Sequence, residues 1–462
     1  MESLCKLSLG LPLFLLFAYV TWALLSVPPQ TLSSWKFNRR ALTLHQVAAL
    51  RYEKPTLKPT LNPPQTPKPI KPVVRSHAQV IEAGLARARK AIKDAASNPN
   101  SSLINDPLFS PDPQIFRNPA AFHRSYLEME NRLKIFVYKE GEPPLVHDGP
   151  CKNIYTIEGR FIHELELGTS SFLTKKPEQA HLYFLPLSVT QMVTYLYKPL
   201  SYDLTPLKRF VSDYVSLISS RHPFWNASLG ADHFFLSCHD WAPHVSRSNH
   251  NLYNTSIRVL CNANTSEGFN PSKDISLPEI NLRTGELPAQ LLTPADPRHP
   301  RPILAFFAGG LHGPIRPLLL QQWQSKDPDI KVYQYLPKGL NYYDLMSKSK
   351  YCLCPSGYEV ASPRVVEAIH SGCVPVLISN SYVLPFSDVL RWEAFTVSLS
   401  LSEIPRVKEI LEGIPEGEYQ RLRENLGRVR RHFVLNQPAQ RLDVFHMVMH
   451  SLWLRRLNLR MP

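Results

Sequence analysis

The stretch YCLCPSGYEVASPRVVEAIHSGCVPVLIS, residues 351–379, decides the fold class because it carries strand, turn, helix and strand signals in succession. Ser362 suits a helix N-cap, Pro363 suits the first helical turn, and Gly372 suits the C-terminal stop. The β-branched run Val374–Ile378 is typical of a buried parallel strand. The stretch therefore predicts a βαβ unit in a parallel sheet.

The start of this helix has the chemistry of an anion site. Ser356 and Gly357 form the turn before it, where free backbone N–H groups and the positive end of the helix dipole attract a phosphate. Arg364 falls in the first helical turn, and Glu367 lies one turn further on the same face. A cation beside phosphates and a carboxylate for ribose hydroxyls predict a nucleotide-sugar site. An ordinary βα unit with a surface ion pair is the alternative.

Residues 352–378 resemble the signature of exostosin-like glycosyltransferases, in particular the plant group linked to cell-wall polysaccharides. The resemblance runs in the family's order from about Val80 to the C-terminus. It implies a GT-B architecture and transfer of a sugar from a nucleotide diphosphate sugar. Five further blocks carry it: RLKIFVYKEGEPPLVHDGP (132–150), YTIEGRFIHEL (155–165), ADHFFLSCHDWAP (231–243), RVLCNANTSEGF (258–269) and ILAFFAGGLHGPIRPLL (303–319).

Strand and helix patterns alternate on both sides of a Pro-rich stretch at 275–300. Apolar runs at 133–138, 180–187 and 233–238 predict buried strands, and a second series begins at Pro302. With the resemblance, this predicts an α/β, GT-B-like fold of two doubly wound domains facing a cleft. We place an acceptor-side domain at 117–290 and a nucleotide-sugar domain at 291–462.

The N-terminal part predicts a membrane protein. Residues 7–27 carry no charge over 21 positions, which favours an uncleaved signal-anchor helix after a cytosolic tail at 1–6. Residues 28–116 predict a Pro-rich basic stem and a helix, Val80–Ser97, that packs on the catalytic domain. We expect a single-pass type II Golgi protein with a luminal, N-glycosylated catalytic domain. Four sequons support this, at Asn100, Asn226, Asn254 and Asn264.

Charge and cysteine content narrow the function classes. The net charge is +14, but residues 36–93 hold 13 Lys/Arg against 2 Asp/Glu, so the motif-bearing region has little basic excess. This excludes nucleic acid as an expected partner. The six cysteines after Cys5 are an even set that suits an oxidising compartment, with the pairing left open. Cys352-x-Cys354 lacks a second ligand pair at zinc spacing, so buried or disulfide-bonded cysteines are expected.

A second group of residues is predicted to contact the donor. The strand at 303–307 runs into Gly309 and Gly310, and the next helix carries Arg316. The glycines allow close approach of the backbone, and a guanidinium binds phosphate bidentately. A tight turn with a solvated Arg316 is the alternative.

No metal site is predicted. Asp327-Pro-Asp329 matches the DxD pattern of other glycosyltransferases, but it lies between a predicted helix and strand, where Pro and Asp are ordinary turn residues. The resemblance implies that helix dipoles and basic side chains hold the diphosphate. We therefore expect no cofactor and no divalent metal, with a UDP-sugar as co-substrate.

Three residues are candidates for the base that deprotonates the acceptor. His239 and Asp240 follow the apolar strand at 233–238, at the edge where open α/β sheets bind ligands. Glu158 is a third candidate, and Asp232 at the other end of the strand is weaker by position. Each of them could instead be a buried hydrogen-bonding residue.

With these candidate residues, the resemblance implies transfer of a sugar from a UDP-sugar to a pectin or hemicellulose acceptor, with inversion. The expected partners are the nucleotide sugar, the polysaccharide, the membrane through one N-terminal helix, and other glycosyltransferases. A catalytically inactive scaffold subunit and a secreted carbohydrate-binding protein are the alternatives. The intact Arg316, Arg364 and Glu367 argue against the scaffold.

Overall fold

The computed structural model describes residues 76–98, 106, 108–109, 112–292 and 300–459. The predicted cytosolic tail, the signal anchor, the Pro-rich stem and the sequon at Asn100 lie outside these ranges. Within them, no helix has the length and apolar character needed to cross a membrane.

In the described ranges, ten strands form two parallel sheets of five strands each. The apolar runs of the sequence place most of them, and Val374–Ile378 has the predicted bounds. The strands are β1 Ile135–Val137, β2 Leu182–Phe184, β3 His233–Ser237, β4 Ile257–Leu260, β5 Ile275–Ser276, β6 Ile303–Ala308, β7 Ile330–Tyr333, β8 Ser349–Pro355, β9 Val374–Ile378 and β10 Val397–Leu399.

The two sheets differ in strand order. The second sheet runs β10-β9-β8-β6-β7, so its order reverses between β6 and β8, as in a doubly wound domain. The first sheet runs β1-β2-β3-β4-β5. The doubly wound prediction is therefore wrong for the first sheet, because each of its connections moves one strand in the same direction. Two parallel α/β sheets nevertheless form a GT-B-like fold, and the predicted domain limits stay predictions.

The described helices lie between and around the strands. The signature helix begins at Pro363 and ends at Ser371, where Gly372 adopts a left-handed φ of 65°, as predicted. The α-helices are α1 His77–Ser97, α2 Pro119–Arg132, α3 Thr156–Glu166, α4 Val189–Leu196, α5 Thr205–Arg221, α6 Pro223–Ser228, α7 Ala242–Ser246, α8 His250–Asn254, α9 Ala289–Leu292, α10 Ile315–Trp323, α11 Tyr342–Ser347, α12 Pro363–Ser371, α13 Val407–Glu412, α14 Glu416–Val429 and α15 Val444–Asn458.

Side chains on the two faces of the first sheet enter two separate cores. Ile135 packs with residues of α2, α3 and α15, whereas its neighbour Phe136 packs with residues of α4 and α5. This alternation follows from the two-residue period of a strand. Because both faces are covered, the strands read as continuous apolar runs rather than as alternating ones.

The last helix, α15, returns to the first domain. Phe445 lies 5.1 Å from the ring of Phe161 on α3. Arg456 donates from Nε to the carbonyl of His181 at 2.9 Å and from Nη2 to Glu82 on α1 at 2.6 Å. The helix α1 therefore packs on the globular part, as predicted, and the C-terminus completes a core that begins near residue 85.

Cysteines stabilise both sheets. Cys238 at the end of β3 is bonded to Cys261 at the end of β4, and Cys352 on β8 is bonded to Cys373 before β9. Cys354 is a buried thiol. The sequence left the pairing open, and the expectation that Cys352 and Cys354 are disulfide-bonded or buried is confirmed.

The two sheets are joined beside their carboxyl edges. Asn264 after β4 forms an antiparallel bridge with Tyr382 after β9. The side-chain oxygen of Asn264 accepts from Ser381 Oγ at 2.7 Å, and Val383 N donates to the carbonyl of Ala263 at 3.0 Å. This junction forms one wall of the cleft.

Candidate active site

Arg364 points from the first turn of α12 back across the end of β6. Its Nη2 and Nε donate to the carbonyl of Ala308 at 2.9 and 3.3 Å, and its Nη1 donates to Ser362 Oγ at 3.2 Å. Its guanidinium carbon lies 4.9 Å from the centre of the Phe307 ring. Ser362 thus stands at the predicted N-cap position but makes no side-chain cap to the helix. It orients Arg364 instead.

Arg316 approaches the same place from the first turn of α10. Its side chain is buried, and its Nε has no hydrogen-bond partner among the described residues. Burial and the like charge of Arg364 lower the pKa of Arg316 to about 10. Two guanidinium groups that repel one another in a buried place indicate a site built for an anion.

Glycines make room for both guanidinium groups. A Cβ on Gly309 would collide with Arg364, and a Cβ on Gly357 would lie 2.8 Å from Arg316 Nη2. Gly313 has a φ of 68°, and a Cβ there would strike the carbonyl of Gly357. The predicted role of these glycines in close approach is therefore visible as room for the arginines.

The backbone amides of the two turns are less available than the sequence indicated. Gly309 N donates to Tyr333 O at 3.0 Å, and Gly357 N donates to the carbonyl of Glu359 at 3.0 Å. The hydroxyl of Ser356 donates to Val360 O at 3.1 Å, which closes the loop. Gly310 has His312 against it, 3.1 Å from where its Cβ would stand. The predicted cradle of amides is thus largely occupied, and the guanidinium groups are the main donors.

Glu367 lies on the same face of α12 as Arg364, one turn further. It is buried and accepts from Tyr342 OH at 3.1 Å and Tyr343 OH at 3.5 Å. Burial raises the pKa of Glu367, and the positive charge of Arg364 opposes that increase. The two tyrosines hold the carboxylate in one orientation, where its other lone pairs can accept from ribose hydroxyls.

Two buried acids, one from each domain, lie near the two arginines. Glu279, three residues after β5, is 3% exposed, and its Oε2 has no hydrogen-bond partner among the described residues. Glu359 in the loop before α12 also carries an unpartnered Oε2. Burial raises the pKa of both carboxyl groups above the ordinary range, with Arg364 and Arg316 opposing the shift of Glu279.

The sequence did not reveal this pair of acids. The strand before Glu279 consists only of Ile275 and Ser276, which is too short to show a period. Glu359 lies inside the signature stretch, but its position in a loop gave no sign that it faces the first domain.

His239 and Asp240 lie at the carboxyl end of β3, as predicted. His239 Nδ1 is 2.8 Å from Asp240 Oδ1, and Tyr155 OH donates to the same oxygen at 3.5 Å. Burial raises the pKa of Asp240, but the hydrogen bond and charge of His239 outweigh it, so the net pKa is below the ordinary value. Asp240 interacts electrostatically with Glu279 of its own domain and with Glu359 of the second domain. The structure therefore brings Asp240 and the arginine pair to one cleft.

Glu158 does not reach this cleft. It is fully buried, and its two oxygens accept five hydrogen bonds. A carboxylate so completely bonded has no lone pair left for an acceptor hydroxyl, so its geometry does not support the predicted role as a base. The donors are Ser188 Oγ, Thr190 N, Thr190 Oγ1, Ser237 Oγ and Cys238 N.

Asp327 and Asp329 lie in the turn before β7, at the edge of the second sheet opposite the arginines. Each accepts from Lys408 Nζ at 2.8 Å. Among the described residues, no cluster of three or more His, Cys, Asp or Glu side chains has the arrangement of a metal site. The Asp-Pro-Asp sequence thus forms a turn with an ion pair.

Comparison with known proteins identifies the family. A model described as the exostosin GT47 domain matches residues 129–414, which is more than half of the chain. The chain belongs to the exostosin GT47 family. It is a glycosyltransferase, and the cleft with Arg316, Arg364 and Asp240 is its candidate active site.

Relatives of this GT47 glycosyltransferase occur in plants. Two proteins of Arabidopsis thaliana, each named as a probable glycosyltransferase, are 58% identical over 392 residues and 54% identical over 393 residues. These alignments cover 85% of this chain, and 81% and 75% of the relatives. A protein of Oryza sativa subsp. japonica, named as a probable glucuronosyltransferase, is 29% identical over 345 residues, covering 70% of this chain and 77% of the relative.

Two solved glycosyltransferase structures are more distant from this GT47 enzyme. MurG of Acinetobacter baumannii has a TM-score of 0.25 over 60% of this chain and 74% of its own. WaaG, a glycosyltransferase involved in lipopolysaccharide biosynthesis, has a TM-score of 0.26 over 71% of this chain and 95% of its own. Both are 12% identical, and at these TM-scores neither carries the argument on the fold.

Proposed function

We propose that this GT47 enzyme transfers a sugar from a UDP-sugar to a cell-wall polysaccharide, pectin or hemicellulose, with inversion at the anomeric carbon. The observation that carries the proposal is the pair of guanidinium groups in the cleft, Arg316 and Arg364. Arg316 Nε has no partner among the described residues. A diphosphate carries negative charge that two adjacent guanidinium groups can offset. Each planar guanidinium group can also donate two hydrogen bonds to phosphate oxygens.

The opposite wall supplies the group for acceptor activation. Asp240 lies across the cleft from the arginines, and His239 fixes one of its oxygens at 2.8 Å. An acceptor hydroxyl between Asp240 and the anomeric carbon would lose its proton to the carboxylate as it attacks. The diphosphate would leave on the other face of the sugar, held by Arg316 and Arg364. A single displacement of this kind inverts the anomeric centre.

The donor sugar is best identified by direct binding. Saturation-transfer NMR of the detergent-solubilised full chain against a panel of UDP-hexoses, UDP-pentoses and UDP-uronic acids should show UDP protons in contact for every member. Additional sugar contacts should appear for the true donor. UDP-glucuronic acid belongs in the panel because relatives in rice are named as probable glucuronosyltransferases. Failure of every UDP compound to bind would overturn the proposal.

A Golgi location with a luminal catalytic domain predicts selective glycosylation. The sequons at Asn226 and Asn254 have exposed asparagines, whereas Asn264 is 7% exposed and bonded at the junction of the two sheets. Asn226→Gln and Asn254→Gln should each remove one glycan, seen as a gel shift smaller than the one that glycosidase treatment of wild type produces. Asn264→Gln should leave the mass unchanged and lower the melting temperature.

The three Asn→Gln variants can contradict this prediction. Because the third variant changes the same residue type, a mass loss there would place Asn264 on the surface. A wild-type chain from plant microsomes that does not respond to glycosidase, or that carbonate extracts from the membrane, would argue against the luminal type II topology.

Transfer should not need a divalent metal. Asp327 and Asp329 are paired with Lys408 at the far edge of the sheet. In the proposed site, the start of helix α12 and the two arginines bind the diphosphate instead of a metal ion. We expect full activity in EDTA. Asp327→Asn combined with Asp329→Asn should retain activity and change the melting temperature little, since ion pairs at the surface contribute little to stability. Loss of activity on chelation, with recovery on adding Mn²⁺, would show that a metal takes part.

A further inference from the structure

The reaction as proposed leaves Glu279 without a role, although it is the most buried acid in the cleft. Its backbone follows β5, where Leu277 N donates to Leu260 O at 2.9 Å and fixes the segment on the sheet. Only 3% of the residue is exposed. One carboxyl oxygen, Oε2, has no hydrogen-bond partner among the described residues. A buried polar atom without a partner is costly unless a ligand completes its bonding.

The groups around Glu279 come from both domains. Arg364 on α12 and Arg316 on α10 are the cations that act on it, and Glu367 on α12 acts as a further anion. Asp240 from the first domain is also within range. In the absence of donor, the two arginines are thus the positive charges that favour an ionised Glu279.

Three more groups close the surroundings. Glu359 in the loop before α12 interacts with Glu279 as a like charge. The pKa values of Tyr155 and Tyr382 are raised mainly by burial, and the negative charge of Glu279 adds to both increases. No lysine or histidine is among the groups that act most strongly on Glu279. The two arginines are therefore the strongest cations that favour its ionised form.

A bound diphosphate would remove this support. Phosphate oxygens on Arg316 and Arg364 neutralise both guanidinium groups and bring further negative charge beside the carboxylate. An ionised, buried Glu279 would then face an anion with no cation left to offset the repulsion. A neutral carboxylic acid in the same place has an O–H to donate.

We propose that Glu279 binds a proton from solvent when the donor diphosphate enters, and that the neutral acid then donates a hydrogen bond to a donor oxygen beside Arg316 and Arg364. No bond other than the O–H bond forms or breaks in this step. The inference rests on the proposed UDP-sugar function and adds a positioning residue to it. A carboxylic acid kept neutral so that it donates a hydrogen bond is known in other enzymes.

Glu279 fits this role better than its acidic neighbours. Asp240 is held by His239 at 2.8 Å, which favours its ionised form. Glu367 already accepts from two tyrosines. Glu359 is less buried, and Arg316 is the cation that acts most strongly on it, after three anions with larger effects, so diphosphate binding changes its surroundings less.

Coupling to a proton makes donor affinity depend on pH with a definite sign. Burial raises the pKa of Glu279 even without ligand, and loss of the arginine charges raises it further. Binding therefore strengthens as pH falls toward the pKa of the unliganded enzyme. It weakens as pH rises, by up to about tenfold per pH unit for one proton.

Calorimetry of UDP binding to the full chain tests this at about pH 9. Burial raises the pKa of unliganded Glu279 to about 8, so at this higher pH most of the unliganded enzyme carries an ionised Glu279. The terminal phosphate of UDP, with a pKa near 6, is also ionised there. Titrations in two buffers of different ionisation enthalpy give the number of protons taken up. Wild type should take up a large part of one proton per UDP bound. Glu279→Gln, which mimics the neutral acid, should bind UDP at least as tightly as wild type at that pH, with no uptake and a flat pH profile.

Control variants separate the outcomes. Glu393→Gln, with a side chain 59% exposed on the surface, should behave as wild type. Proton uptake that survives in Glu279→Gln, or that disappears only in Glu359→Gln, would overturn the assignment to Glu279. UDP binding to wild type without any proton uptake would also overturn it while leaving the UDP-sugar function intact. Absence of UDP binding would overturn both.

Discussion

Replacing Arg316 with methionine should abolish detectable UDP binding and leave the unliganded enzyme at least as stable as wild type. Arg316 is buried beside another guanidinium group, and burial and the charge of Arg364 lower its pKa to about 10. The apolar chain of methionine removes that repulsion at similar volume. Loss of a charged partner from a desolvated diphosphate costs about 2–5 kcal/mol, or roughly 30- to 5,000-fold in Kd.

Titration calorimetry with UDP and thermal unfolding without ligand measure the two effects. Arg364→Ala should also lose UDP binding, but with some loss of stability, because Arg364 donates to Ala308 O and Ser362 Oγ. Arg406→Ala is the control, since its side chain is 61% exposed and paired only with Glu409. Near-normal UDP affinity in folded Arg316→Met would show that the diphosphate does not bind at Arg316.

Asp240→Asn should lower the transfer rate by about 10²–10⁴ while UDP affinity stays near wild type. Asparagine keeps the shape and the contact with Tyr155 but cannot accept the proton of the acceptor hydroxyl. Initial rates with the donor identified by NMR, together with UDP calorimetry, separate chemistry from binding. His239→Ala should fall in the same class because His239 fixes the carboxylate.

The same strand offers a matched control for this prediction. Asp232 and His233 form a similar pair at the other end of β3, with Asp232 Oδ1 2.8 Å from His233 Nδ1. Ser228 Oγ and Tyr138 OH extend this pair into a buried network. Asp232→Asn should cost about 1–3 kcal/mol of stability without a specific loss of rate per folded molecule. Equal rate losses in both variants would mean that Asp240 also acts only through the fold.

Much of the fold follows from local patterns in the chain. The signature helix and strand have the predicted bounds because Pro363, Gly372 and the β-branched run each act within a few residues. The strand order of the first sheet does not follow in this way. It depends on which strands pair, and β5 has only two residues. Such pairing is decided by packing between distant segments, which a local pattern does not record.

The residues of the candidate site also differ in whether local sequence patterns predict them. Arg364, Glu367 and Arg316 were predictable because a helix start beside a glycine turn is itself a chemical signal. Glu279 was not predictable in this way. Its importance arises only because the fold brings it close to Arg316, which lies 37 residues further along the chain in the other domain. Glu158 shows the converse. Its position in a family block indicated a base, but five donors that converge from two segments make it structural.

The return of α15 to the first domain has a consequence for biosynthesis. The core that contains Leu85 and Phe161 also contains Phe445 and Leu452, so it cannot close until nearly the whole chain has left the ribosome. Folding of the first domain therefore remains incomplete, with apolar surface exposed, while the second domain is translated. A chain that ends before Val444 would lack the helix that completes the core of the first domain.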